Sequence, residues 1–353
     1  MVNGLSIPVR AAIAGENVQL RPGSHFKLNV PTGPQAITIT TTAGQVIEQG
    51  TLRVEAGSDA QGWNILGAAP IFVEELLYQH NELDGTPAPE PTVLCGQREF
   101  GVDAVDYVFV EPPKNPATNR PNGTLAKEKR VHMDLATDTP AACVSWLEHT
   151  QGDRQSAAEL ARVLAELAGY PSELTRMAVI LLQNTSGRDA AAAWLTQALE
   201  QHDDQVDLHR IYQDFRTDAG ERAEVLAEYR VRLAAQPKDV LAGYLVARVE
   251  TAAFALNMLR SLHERAPTDR YVLRAFAHAL AMSGDHAGAI AAWRELEQVD
   301  RPAYNEAIPL IGQALAALGR TREALRALEQ KVQGESSTRA FERALMYARV
   351  ARL

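Results

Sequence analysis

The stretch YVLRAFAHALAMSGDHAGAIAAWRELEQVDRPAYNEAIPLIGQALAALGRTREALRALEQKV, residues 271–332, decides how this chain is read, because one short pattern occurs in it twice. In the first copy Phe276, Ala277 and Leu280 precede Gly284, and Ala289, Ile290, Trp293 and Leu296 follow it. In the second, Gly312 and Leu315 precede Gly319, and Ala324, Leu325 and Leu328 follow. Gly284 to Gly319 is 35 residues, and so is Ala289 to Ala324. A helix–turn–helix unit of that period cannot bury its apolar face alone and must stack on its neighbours.

Carried backwards, the register gives six units. Their turn positions hold Gly152, Gly187, Gly220, Glu250, Gly284 and Gly319, spaced by 35, 33, 30, 34 and 35 residues. Five residues later stand Ala157, Ala192, Val225, Ala255, Ala289 and Ala324, where a small side chain lets two helices approach closely. Pro237, Pro267 and Pro302 fall near unit ends, where proline stops one helix before the next begins. The eighth position of each first helix is small as Gly243, Ala277 and Gly312, but is Ser145, Ile180 and Gln213 in the first three units. From about residue 136 to 335 this pattern resembles the tetratricopeptide repeat family. The resemblance implies an α-α superhelix of about six hairpins, with Ser336 to Leu353 expected as a capping helix, and a concave groove that holds a protein or peptide.

The same resemblance puts the first helix of each pair on the groove. Trp146, Leu181, Asp214, Tyr244, His278 and Gln313 then share one groove position, and Ala142, Met177, Arg210, Val240, Arg274 and Pro309 stand one turn earlier. Arg and Tyr are residue types that carry binding energy through forked hydrogen bonds and stiff aromatic area. The expected contact set is therefore Trp146, Arg210, Tyr244, Tyr271, Arg274, His278 and Gln313. The paired Lys and Asn with which some relatives clamp a chaperone C-terminus are missing, although an acidic peptide has Arg210, Arg248 and Arg274 on offer.

Residues 1–113 read differently, as a β-rich module. Val18–Leu20 is followed by the turn Arg21-Pro22-Gly23; Phe26, Leu28 and Val30 alternate with polar residues; Ile37, Ile39 and Thr41 do the same. Val46–Glu48, Leu52–Val54, Ile71–Tyr78 (with a short helix as its alternative) and Val105–Val110 complete an expected antiparallel, sandwich-like set. The rhythm Leu-Arg-Pro-Gly-Ser-His-Phe-Lys-Leu at 20–28 resembles the PEGA-like or immunoglobulin-like modules of bacterial envelope proteins. That resemblance implies an adhesive or spacer role. Residues 114–135 are polar and proline-bearing and read as a linker or long loop, leaving 136–353 to the helical repeats. The fold class expected is α+β multidomain.

The chain has 353 residues and a formal net charge of −9, which leaves no basic excess for nucleic acid or an anionic membrane surface. No run of about 18 apolar residues spans a membrane, and the first residues lack the basic and apolar regions of a signal peptide. A natural start at Met1 implies the cytoplasm; a soluble part of an anchored protein implies an extracytoplasmic place. Cys95 and Cys143, the only cysteines, read as free thiols, Cys143 as a small buried hydrophobe, since nothing in their spacing forces a bridge. No catalytic motif stands out, and no cofactor or metal is expected. His80, Glu82 and Asp84 lack the helical His-x-x-x-His spacing, and Asp103, Asp106 and Glu111 have no assignable partner acid. The favoured reading is a non-enzymatic interaction scaffold. The alternative is a carbohydrate- or peptidoglycan-binding β-module that would use an exposed Trp63-Asn64, with the repeats as a spacer, although a sandwich of this size wants one large aromatic in its core and Trp63 is expected there.

Overall fold

The computed structural model describes residues 1–56, 60–78, 90–102, 104–113, 128–135 and 141–332. His80, Glu82 and Asp84, set aside as metal ligands, Asp103 and the expected capping helix at 336–353 lie outside them. The chain divides into two compact units, Met1–Ile211 and the part from Tyr212 onward.

The first unit opens with strands β1 (Val2–Asn3), β2 (Val9–Ile13), β3 (Glu16–Leu20), β4 (Ser24–His25), β5 (Gly33–Thr41) and β6 (Val46–Val54). There follow β7 (Ala60–Trp63), β8 (Ile71–Tyr78), β9 (Thr92–Leu94), β10 (Glu99–Val102), β11 (Tyr107–Val108) and β12 (Glu128–Leu135). One antiparallel sheet runs β3-β2-β5-β6. Ala14 and Gly15, both at positive φ, form the tight turn joining β2 to β3. Val9, Ala11 and Ile13 alternate inward on β2, as Ile37 and Ile39 do on β5, and all five are buried. A second sheet, β11-β12-β8-β9, is antiparallel except for its β11–β12 pair. Ile71, Met133, Val2, Ala69 and Phe100 form the core beside it.

Several expectations are corrected here. Phe26–Val30 is not a strand: only Ser24–His25 pairs, with β1, and Phe26 is left exposed. Val46–Glu48 and Leu52–Val54 are one strand, paired with β5 through Gly50, on which the indole of Trp63 packs so closely that a Cβ would lie 2.4 Å from the ring. The strand expected at Val105–Val110 shrinks to Tyr107–Val108, closed off by left-handed residues at Ala104 and Phe109. The linker expected at 114–135 contains β12, paired with β8 along all eight of its residues. Val131, Met133 and Leu135 alternate with Arg130, His132 and Asp134 there, a strand period that polar flanks concealed.

Asp106 fastens β11 to β12. Its carboxylate accepts from Val131 N (2.9 Å) and from Arg130 Nη1 (2.6 Å). The Val131 amide first, and the guanidinium next, hold its pKa below the usual carboxylate value. A depressed folded pKa means stability present above the unfolded value and lost as pH falls through the folded one. Lowering the pH from roughly 5 to 2 should therefore cost the wild type more melting temperature than Asp106→Asn. Parallel losses in thermal melts would show that the pair contributes nothing.

Helices fill the rest. The first unit holds α1 (Ala141–Trp146) with a π-helical turn at Leu147–Gln151, α2 (Arg154–Leu167), α3 (Ser172–Ser186) and α4 (Arg188–Gln201). Helix α5 (Val206–Thr217) contains the division between units. The second unit continues with α6 (Arg222–Ala235), α7 (Val240–Val249), α8 (Ala252–Arg265), α9 (Arg270–Met282), α10 (His286–Val299), α11 (Arg301–Ala317) and α12 (Thr321–Val332). Asp153, Asp239, Asp269, Asp285 and Asp300 cap helix starts by accepting backbone N–H bonds. Gly152, Gly220, Gly284 and Gly319 make the turns within hairpins at positive φ. These are tetratricopeptide-like helical hairpins.

The departures in register have local causes. At Glu250 the chain leaves α7 in an extended conformation (φ −68°, ψ 164°), so no left-handed residue is needed and the spacing shortens. Its nearly buried carboxylate is held by Arg230 Nε at 3.0 Å, and its carbonyl oxygen by Arg222 Nη2 at 2.8 Å. Gln213, at a position that is Gly or Ala in later hairpins, is 1% exposed; it donates to Leu245 O (2.8 Å) and accepts from Arg248 Nε (3.0 Å). In the second hairpin Gly187 alone separates two helices, so the phase slips by one: Ala191 is buried in place of Ala192, and Ile180 is 56% exposed. Leu181, assigned to the groove, is a core residue at 1% exposure.

Candidate functional site

In the second unit, α9 starts at the Asp269 cap, whose carboxylate accepts from Tyr271 N and Val272 N. It buries Val272, Leu273, Ala277 and Leu280. What remains outside recurs every fourth residue: Arg270, Arg274, His278 and Met282 are exposed in one stripe. Helix α11 buries Ala307, Ile308, Ile311, Gly312, Ala314 and Leu315 and exposes Glu306, Leu310, Gln313 and Ala317. Arg274 Nη2 meets Glu306 Oε2 at 3.1 Å, so the two stripes are adjacent parts of one surface.

Tyr271 lies half-buried at the start of this surface. Its ring is 5.8 Å from that of Tyr244, and the Arg270 guanidinium stands over it at 4.6 Å while donating to its hydroxyl at 2.7 Å. Tyr244 is only 4% exposed, so it supports Tyr271 from below. Helix α7 exposes little; Arg248 is tied to Gln213 and to Asp214 Oδ1 at 2.7 Å. Arg210, in the other unit, is half-buried and bonds Asp207 at 2.8 Å. The basic residues offered to an acidic peptide thus carry carboxylates of their own, which weakens that reading. Trp146, half-buried at the end of α1, belongs to the first unit. Of the seven expected contacts, Tyr244, Tyr271, Arg274, His278 and Gln313 fall in the second unit, and Trp146 and Arg210 in the first.

The first unit has a hollow of about 610 Å³ between the β5–β6 turn (Thr41, Gln45) and helices α2 and α4. Glu166 is pinned at its edge, accepting from Arg162 Nη1 and from Trp194 Nε1, both at 2.8 Å. Burial, then the nearby Glu166 charge, pushes the Tyr170 hydroxyl pKa up. Tyr170 itself is left-handed (φ 58°) after Gly169 (φ 74°). Sequence reading missed this hollow, although Gly169-Tyr170-Pro171 between two helices was its visible signal. A carboxylate fixed by two donors positions its neighbours and is poorly placed to accept a substrate proton.

Trp63 is 4% exposed and donates to Glu48 Oε2 at 3.1 Å, and Asn64 is fully buried. The exposed Trp63-Asn64 pair that motivated a ligand-binding β-module is therefore absent. Asp106 is engaged in the strand pairing described above. Among the described residues no group of three or more His, Cys, Asp or Glu side chains is placed to hold a metal ion, and no helix is long and apolar enough to cross a membrane.

No family profile matches the chain, and no curated protein matches it. Solved structures do. A thermophilic tetratricopeptide protein of Thermus thermophilus, TTC0263, aligns at 14% identity and a TM-score of 0.39, over 52% of this chain and 100% of its own. YrrB, described as a tetratricopeptide protein with an unusual peptide-binding site, aligns at 18% identity and a TM-score of 0.34, over 56% of this chain and 100% of its own. A tetratricopeptide repeat protein of Parabacteroides merdae aligns at 16% identity and a TM-score of 0.36, covering 59% of this chain and 90% of its own.

Proposed function

We propose that this protein is a non-enzymatic scaffold that binds a protein or peptide segment on the α9–α11 face. The observation that carries the reading is the pair of exposed stripes joined at Arg274–Glu306. Tyr271 supplies a ring braced by Tyr244, which costs little entropy to use in binding. Met282 (73% exposed) and Leu310 (37%) add apolar contact, while Arg274, Glu306, His278 and Gln313 supply donors and acceptors of both signs. Mixed charge with apolar anchors suits a neutral amphipathic segment better than a purely acidic one.

The test compares wild type with Arg274→Ala/His278→Ala in affinity capture, using circular dichroism to confirm an unchanged fold. Loss of both polar groups should weaken binding of the captured partner at least about tenfold. Phe254→Ser, an exposed residue of α8, serves as a control expected to bind normally. Undiminished capture by the double variant would refute the assignment of this face.

A further inference from the structure

The two cysteines, expected as free thiols, are joined: Cys95 and Cys143 form a disulfide with Cα atoms 5.2 Å apart, inside the span such bonds require. Both are almost wholly buried, at 1% and 0% exposure. The approach is built into the backbone. Gly96, left-handed at φ 76°, donates its N–H to Gly67 O at 2.9 Å and so turns the chain just after Cys95. Cys143 and Leu147, one helical turn apart, face the same way, and Leu147 packs so closely on Gly96 that a Cβ there would lie 2.9 Å from it. The bond therefore ties the end of β9 to α1, joining the β-module to the first helical hairpin.

From this we infer that the chain matures in an oxidising compartment, and that the Cys95–Cys143 bond is a permanent staple which makes the β-module a fixed part of the first helical unit. Formation of the bond removes two thiol protons and two electrons, which pass to a thiol oxidase of the disulfide-exchange class found outside the reducing cytosol. Burial on both sides keeps an attacking thiolate away from either sulfur, which suits a structural bond rather than a switch that opens and closes. The chain has no third cysteine that could resolve or reshuffle it. Such a compartment lies outside the reducing cytosol.

The experiment traps thiols by acid quenching in cells of the native host producing the full chain, followed by a polyethylene-glycol maleimide under denaturing conditions. No adduct is expected before reduction and two after it. Two adducts without reduction would overturn the inference. A second measurement concerns the staple itself, by thermal melting of the purified chain with and without reductant. Reduction should lower the melting temperature by roughly 5–15 °C in the wild type. It should leave Cys95→Ala/Cys143→Ala, already low, unmoved. A double variant that melts with the oxidised wild type would show that the bond stabilises nothing.

Discussion

Trp293→Ala should destabilise the second unit by about 3–5 kcal/mol, the range for deleting a fully buried aromatic side chain. Trp293 is 1% exposed and lies in the cluster that holds Leu273, Leu280, Ile290, Leu296, Ile308, Ile311, Leu315 and Leu328. That cluster draws on α9, α10, α11 and α12, so the cavity left by the indole loosens two hairpins at once. Neighbouring side chains are themselves held in helices and can relax into the space only in part. Helical dichroism should fall in an earlier, broader transition, with faster amide exchange across α9–α11. Phe254→Ala, at 68% exposure, should change stability by less than about 0.5 kcal/mol. Equal effects of the two substitutions would contradict the packing described.

Gly4→Ala should be about as costly, roughly 3–5 kcal/mol. A Cβ on Gly4 would lie 2.3 Å from Ala69 N, 2.4 Å from Ala69 Cα and 2.5 Å from the Ala68 carbonyl carbon. All three are backbone atoms, so no side-chain rotation relieves the overlap. The segment they belong to is clamped by buried Asn64, which donates to Ala69 O at 2.8 Å and accepts from Ala69 N at 2.9 Å. Moving it aside breaks those bonds and leaves buried backbone groups unpaired. Gly152→Ala offers the contrast: its Cβ meets nothing within 4 Å, but its φ is 71°. Only the left-handed strain remains there, about 1–2 kcal/mol. Chemical denaturation of the three proteins measures the difference, and similar midpoints for both variants would refute the close approach at Gly4.

The repeated helical hairpins were legible because their signals are local. A glycine at the turn and a small residue where helices cross announce themselves within a few positions. The signals failed where a non-local interaction replaced them. Gln213 and Glu250 break the small-residue pattern because Leu245, Arg248 and Arg230, distant in sequence, satisfy their polar groups. In the second hairpin a single glycine between helices shifts the phase, and a fixed period cannot show that. Of the proposed face, Tyr271, Arg274, His278 and Gln313 stood among the expected contacts, whereas Glu306, Met282 and Leu310 did not, and the surroundings of none could be read. Tyr244 was expected in the groove and is buried beneath Tyr271, and Arg274 was expected to await an anion and already meets Glu306.

Elements whose causes lie within one turn or one strand could thus be read from the residues alone: the hairpin period from 271 to 332 and the alternation of Ile37 and Ile39. Whatever depends on contact between segments far apart emerged only in the folded chain. That covers the place of β12 in a sheet, the hydrogen bond from Trp63 to Glu48, the meeting of α9 and α11, and the bond across the 48 residues separating Cys95 from Cys143. Periodicity records which face of an element is apolar. The partner that covers that face is chosen by shape and polar pairing among all the segments that folding brings together.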